Sequence, residues 1–418
     1  MSWFSSLAPL ALAVSAVLAS PAPNPYRDQQ VLRCTLNDDA QVQHIKSAKL
    51  DVWSHHIGLN RPVDIRVNAE QQRALEATGA QCGSFIEDIA RLIKTENEPA
   101  TLDRRQTSDT FFSKYRTYAE INTKIADWAK AYPALFTNLG SIGTTVENRA
   151  IPAFKISKGS SSTKKAIWFN GGIHAREWIS PATVMYLANV LLTGSDPALA
   201  AYLDKVDFYI TPVSNPDGYV YTQTDRMWRK NRRKNPGSSC VGTDLNRNFN
   251  EHWAVAGTSS DPCDETFPGS GPGSELENKA LTSFVTKIPN RLAGIDFHSY
   301  GQLILRPWGW TDTAPDNAAK YKALGDGVRD AIRAQSGTRY TSEAGADLYP
   351  ASGATDDWMN AKAKMVGYTI ELRDTGNYGF VLPASQIVPT GNEIVAGVKA
   401  FLKYVLANPI PTPSIPPN

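Results

Sequence analysis

Apolar positions along the chain fall into two patterns separated by a polar stretch. In the first, a strand-like Gln30 to Cys34 is followed by a helical stretch around Asp39 to Lys49, a strand at Val63 to Val67, a helix through Ala69 to Thr78 and a helix from Gly83 to Lys94. This predicts a compact αβ unit able to fold alone. Thr95 to Ser108 is then polar and contains Arg104-Arg105. That stretch reads as a processing linker between a pro-segment and a mature chain; a connector with two solvated arginines is the alternative.

Beyond the linker, helices alternate with apolar strands. Tyr118 to Ala131 and Pro181 to Leu192 have helical periodicity, while Ala166 to Phe169, Val206 to Ile210, Leu292 to Phe297 and Val366 to Ile370 read as strands. Ser180 before Pro181 suits a helix start, with a serine cap and proline in the first turn. Buried β-branched and aromatic runs between helices indicate an α/β domain with a largely buried, mixed sheet. Asn408 to Asn418 holds five prolines and little apolar surface, so a disordered tail is expected. No internal repeat is evident.

Composition narrows the setting. The 418 residues suit one small and one large domain. A net charge of +2 gives no general reason to expect nucleic-acid or membrane-surface binding. The apolar run Leu7 to Leu18, followed by Ala19, Ser20 and Pro21, reads as a secretory signal cleaved after Ala19, although no Lys or Arg precedes the run. An N-terminal anchor is the alternative, but the run falls short of the roughly 20 residues a spanning helix needs. The mature chain is therefore expected to be secreted and soluble. The four cysteines lie in two pairs along the chain, which suggests Cys34 with Cys82 and Cys240 with Cys263; buried free thiols are the alternative.

Residues with catalytic chemistry sit where strands end. The strand at Ala166 to Phe169 leads through Gly171-Gly172 to His174 and Glu177; Leu292 to Phe297 ends on His298; Val366 to Ile370 ends on Glu371. Ligands of open α/β sheets bind beside the carboxyl ends of strands. Two imidazoles and a carboxylate leave one position of a tetrahedral ion open, as in a catalytic zinc site. Only His174, His252 and His298 follow the linker, and His252 reads as a loop-packing residue. Satisfied polar residues at strand ends remain the plainer alternative. Beside a metal, Glu371 would suit a general base, unless it pairs with Arg373 for structure. The run Arg226 to Lys234 is strongly basic, and its plainer reading is a solvated face. Asn246-Arg247 would suit a clamp for a carboxylate, because the planar guanidinium donates two parallel hydrogen bonds.

These residues stand in motifs that match a family. With Gly171 to Trp178 (GGIHAREW), Asn215 to Tyr219 (NPDGY), Asp296 to Tyr300 (DFHSY) and Glu371 to Ser385 (ELRDTGNYGFVLPAS), the chain resembles the secreted zinc carboxypeptidases of the pancreatic carboxypeptidase A and B type. The resemblance begins in the pro-segment, at Leu50 to Trp53 and Val63 to Val67, and runs to about Tyr404. It implies a mixed eight-stranded sheet flanked by helices, preceded by a small antiparallel αβ pro-domain that covers the cleft. The implied division is a signal peptide at 1–19, an activation pro-segment at 20–105, a catalytic domain at 106–407 and a Pro-rich tail at 408–418. His174, Glu177 and His298 would bind one Zn2+ per chain, with Glu371 as general base and Arg229 steadying the oxyanion. Asn246, Arg247 and Tyr349 would hold the terminal carboxylate of a peptide or protein, and Arg176, Tyr300 and Phe380 would line neighbouring subsites. The resemblance further implies a monomeric zymogen opened by an endoprotease.

Specificity stays open between two types. Asp356 falls where the B type has an aspartate at the pocket floor, which favours a C-terminal Lys or Arg or mixed specificity. Gly309 agrees instead with the A type, which prefers hydrophobic C-terminal residues, and Ala344 matches neither. A catalytically inactive peptide-binding homologue and a zinc hydrolase acting on a non-peptide amide are the further alternatives.

Overall fold

The computed structural model describes residues 24–54, 57–102, 109–159 and 161–416; the expected signal segment and Arg104-Arg105 lie outside them. The N-terminal unit has four strands, β1 (Gln29–Thr35), β2 (Asp51–Val52), β3 (Pro62–Asn68) and β4 (Gln81–Ile86), in the antiparallel order β2-β3-β1-β4. Its helices Asp39–Ser47, Ala69–Glu76 and Ile89–Glu96 start on Asp38, Asn68 and Asp88, whose side chains accept first-turn N–H bonds. The helix expected from Gly83 to Lys94 is therefore half wrong. Residues 81–86 are a strand because Cys82 lies opposite Cys34 across β1 and is bonded to it, and Asp88 delays the helix to Ile89.

β3 shows what each face of this small sheet is for. Val63, Ile65 and Val67 alternate into the unit's own core with Val42, Ile45 and Leu75. Asp64 and Arg66 point the other way, toward the large domain, as do Val31 and Trp53 in a cluster with Tyr300 and Phe380.

The large domain holds an eight-stranded mixed sheet. Its strands are β5 (Phe136–Thr144), β6 (Ala150–Ile156), β7 (Lys165–Gly171), β8 (Val206–Thr211), β9 (Arg291–His298), β10 (Leu303–Arg306), β11 (Thr341–Ala344) and β12 (Val366–Glu371). Their order is β11-β10-β12-β9-β7-β8-β6-β5. The central strands β12, β9, β7 and β8 run parallel, and most of their residues are buried. In β7, Ile167 and Phe169 enter the core beneath helices Ile179–Thr193 and Ile387–Ala407, while Ala166 and Trp168 join Leu281, Val285 and Trp358 on the opposite face. The strands left unread in the sequence are the outer two on each side, β5 and β6 at one end and β10 and β11 at the other. β5 is mostly exposed and polar, and β10 and β11 have four residues each, too short to show a period.

The tail forms neither helix nor strand, yet its described part is not free. Asn317 and Lys320 donate to the carbonyls of Pro411 and Pro409, the Ser414 N–H reaches Asp316, and Ile410 packs on the core. These contacts lie at the start of helix Ala318–Ser336. A second disulfide joins Cys240 to Cys263.

Replacing Cys34 and Cys82 together by serine should lower the stability of the N-terminal unit by about 2–4 kcal/mol, since the bond closes a loop spanning 48 residues. Urea unfolding followed by tryptophan fluorescence would measure it, with Trp53 as the reporter buried at the domain interface.

Candidate active site

β7, β9 and β12 are neighbours, and their register sets their ends level. Glu371 pairs with His298 and Gly171 with Phe297. The chain leaves β7 through Gly172, whose φ is +66°; a Cβ there would lie 3.0 Å from the Pro181 ring and 3.3 Å from the Val213 backbone. Only glycine fits this turn, and it carries His174 and Glu177 over the strand ends. The Ser180 hydroxyl holds the turn by accepting from the Gly172 N–H.

His174, Glu177 and His298 converge, all buried. His174 Nδ1 lies 2.8 Å from Glu177 Oε1 and 3.1 Å from His298 Nδ1, which is 3.2 Å from Glu177 Oε2. The opposite ring nitrogens face carboxylates: His174 Nε2 is 3.1 Å from Asp244 and His298 Nε2 is 3.0 Å from Asp296. With the Nε2–H groups directed at those carboxylates, both Nδ1 lone pairs and a carboxylate point at one spot, where only positive charge relieves their repulsion. The separations are close to the roughly 3.3 Å between ligand atoms of a tetrahedral ion with bonds of about 2.0–2.1 Å, so the donor set fits zinc. Electrostatics repeat this demand. Burial opposes charge on His298, yet Asp296 and Glu177 hold the imidazole well above its ordinary range; Glu177, despite its burial, is held well below the carboxylate range by the two histidines.

Asp296 and Asp244 were not singled out in the sequence. Asp296 had a signal, since it stands two positions before His298 and so on the same face of β9. It is held in turn by Asn170, which is fixed by Thr211 and, through it, by Trp168. Asp244 had none, because its partner His174 is 70 positions away.

Glu371 is buried, and burial pushes its carboxyl up to about 8, with His298 pulling it down. Arg373 does not neutralise it: the Arg373 Nε donates to Glu393 at 2.9 Å. Arg229 is fixed by Asp244 at 2.8 Å and lies 3.9 Å from Glu177. The basic run around it is not a solvated face. Arg226 pairs with Glu96, Arg233 with Glu275, and Arg232 lies over Tyr221 and Trp228. His252 stacks on Trp310 and bonds Glu251 in its loop, away from the three donors.

A second group forms beside the first. Arg247 Nη2 donates to the Tyr349 hydroxyl at 2.7 Å, and among the described residues the guanidinium forms no ion pair. The Asn246 carbonyl accepts from Thr355, leaving its amide N–H groups to donate elsewhere. Gly353, at φ +69°, presses against the Arg247 backbone, three positions before Asp356. Asp356 is buried; burial and then Asp296 push its carboxyl up to about 6. Asp357 instead accepts the N–H groups of Gly309 and Trp310. Ala344 caps the short helix that precedes Tyr349.

The N-terminal unit lies on these residues. Tyr300 donates to Asp64, Arg176 faces Asp51, and Trp53 packs on Phe380 with ring centroids 5.2 Å apart. Arg61 donates to the carbonyls of Asp347 and Leu348, just before Tyr349.

Comparison with known proteins shows the family. The family described as zinc carboxypeptidase matches residues 121–397, and that described as carboxypeptidase activation peptide matches residues 32–96. The chain is 40% identical to mouse (Mus musculus) carboxypeptidase A4 over 392 residues, covering 90% of this chain and 93% of the relative. It is 36% identical to bovine (Bos taurus) carboxypeptidase B over 394 residues, covering 91% and 94%. The crystal structure of thrombin-activatable fibrinolysis inhibitor superposes with a TM-score of 0.83 at 33% identity, covering 91% of this chain and all of that one.

Asp296→Asn should weaken divalent-ion binding about 10–100-fold, because His298 loses the partner that orients its ring. Competition with a chromogenic chelator would measure the change.

Proposed function

Because the chain belongs to the zinc carboxypeptidase family and carries its activation peptide, we propose that His174, Glu177 and His298 hold one Zn2+ per chain and that Glu371 is the general base. The protein is a metallocarboxypeptidase made as a zymogen, with peptides as substrates and a protease as activator. The observation that carries the residue assignment is the convergence of three buried donors beside Glu371 on adjacent parallel strands.

Bound there, zinc would supply a Lewis acid for the scissile carbonyl and lower the pKa of an attacking water. Glu371 takes the proton from that water and delivers it to the leaving amine. Arg229, kept charged and oriented by Asp244, stabilises the oxyanion. Arg247, Asn246 and Tyr349 receive the terminal carboxylate, whose position they fix relative to Glu371. Arg176, Tyr300 and Phe380 line the subsites upstream.

Asp356 supports a preference for C-terminal Lys or Arg, alone or in a mixed range. It is buried with no ion pair among the described residues, so a substrate cation would supply the missing partner. The alternative is A-type specificity for hydrophobic C-terminal residues, favoured by Gly309, whose N–H is held by Asp357.

Latency follows from the contacts of Asp51, Trp53 and Asp64 with the three subsite residues. Processing after Arg105 by an endoprotease would free a mature enzyme of residues 106–407 with its tail, after a signal peptide at 1–19 has been removed. No helix among the described residues is long and apolar enough to cross a membrane. Secretion and a monomeric state complete the proposal.

Glu371→Gln should lower kcat by at least about 100-fold, at the low end of what a general base contributes, with zinc still bound. Activity that survived both this change and a zinc chelator would sink the mechanism. On peptides ending in Arg or Phe, the ratio of kcat/KM should favour Arg above pH 6 and decline as Asp356 takes up a proton near pH 6. Asp356→Asn should remove the preference for Arg at every pH. A wild-type ratio favouring Phe throughout would decide for the hydrophobic reading.

A further inference from the structure

Arg247, the cation of the proposed carboxylate clamp, is held at three points, two of them on other loops. Nε donates to the Gly257 carbonyl at 3.1 Å, Nη1 to the Asn246 carbonyl at 2.8 Å and Nη2 to the Tyr349 hydroxyl at 2.7 Å. Among the described residues, these bonds occupy three of the five N–H groups of a guanidinium and leave two for a bidentate carboxylate. Where those two point depends on the positions of Gly257 and Tyr349.

Those two positions are tied together by one buried hydroxyl. Gly257 closes a strained turn: His252 and Ala254 have φ of +44° and +58°, in the left-handed region that side chains avoid, and Gly257 itself is at +62°. Ser352, fully buried, accepts from the N–H groups of Val255 and Ala256 at 3.0 and 3.1 Å and donates to the Ala256 carbonyl at 2.9 Å. Its own N–H reaches the same carbonyl. A Cβ on Gly257 would lie 2.2 Å from the Pro350 carbonyl, so the turn sits flush against the residue that follows Tyr349. Gly353 completes the seam, donating to the Glu251 carbonyl and accepting from the Phe249 N–H. The segment that presents the Tyr349 hydroxyl is thus fastened to the segment that presents the Gly257 carbonyl, and Ser352 supplies the side chain that does it.

Resting on the carboxypeptidase reading above, we infer that Ser352 is a positioning residue: through Gly257 and Tyr349 it aims Arg247 at the C-terminal carboxylate of the substrate. Without the hydroxyl, two N–H groups lose their acceptor and the strained turn relaxes, which displaces the carbonyl that holds Arg247 Nε. Bidentate recognition of a carboxylate is sensitive to such a shift because the guanidinium is planar and its donors are fixed in direction. The carboxylate is common to every substrate and is held alike before and during reaction. The effect therefore falls on binding and is blind to the side chain that enters the pocket of Asp356. His252, stacked on Trp310, keeps the loop folded when the hydroxyl is removed.

The test uses processed, zinc-loaded enzyme with peptides ending in Arg or Phe. Ser352→Ala should raise KM about tenfold while kcat changes by less than about twofold, and by the same factor for both peptides. Binding of benzylsuccinate, whose two carboxylates reach both the metal and the clamp, should weaken by that factor, whereas binding of acetohydroxamate, which reaches the metal alone, should not change. Gly257→Ala moves the same carbonyl from the other side and should also raise KM; it carries the measurement if Ser352→Ala does not fold. The double variant should lose less than the product of the two single losses, since both act through one contact. An unchanged KM, a loss confined to kcat or to one of the two peptides, equal weakening of acetohydroxamate, or losses that multiply in the double variant would overturn the inference while leaving the enzyme's function intact. Failure of the wild type to release an amino acid from any peptide would overturn both.

Discussion

The structure is organised around a concentration of electron-rich atoms that cannot be neutral by itself. Two imidazole nitrogens and a carboxylate lie within about 3 Å of one another in a buried pocket, with two further carboxylates behind the rings. Burying such a group is unfavourable unless positive charge is supplied. The surrounding sequence is arranged to hold it open for that charge. Glycines shape the β7 exit, Asn170 and Thr211 brace Asp296, and Arg229 balances Asp244 from the other side.

The same constraint bears on the small N-terminal sheet. Its docking face is mixed: β3 turns valine and isoleucine inward and Asp64 and Arg66 outward, beside the apolar Val31, Trp53 and Ile86. Arg33 holds Asp64 in a bidentate pair, and Tyr300 of the large domain completes the set. Glu96, at the end of the last pro-domain helix, pairs with buried Arg226. Such pairs add little net stability over an apolar contact, but losing one partner leaves a stranded charge, so the interface is strongly specified in its alignment. Release exposes Arg176, Arg226 and Tyr300 to water or substrate together.

Much of this was legible from local pattern. Strands β7, β9 and β12 are buried on both faces and therefore appear as apolar runs, and the residues closing them are the ones with chemistry. The motifs around His174, His298 and Glu371 carried the family resemblance. Edge strands such as β5 are half solvated and show no such run, and β4 was mistaken for helix because its pairing with β1 is not encoded in its own six residues.

The sequence by itself determined which residues are candidates to hold a metal, the strand ends that carry them and the division into a small and a large unit, because these depend on short-range periodicity and turn chemistry. Only the tertiary structure decided which charges meet: Asp244 with His174, Arg373 with Glu393 rather than Glu371, and Arg226 to Arg233 turned inward instead of toward solvent. Partner choice among charges depends on distance and burial between segments far apart in the chain, and neither is written in the neighbourhood of either residue.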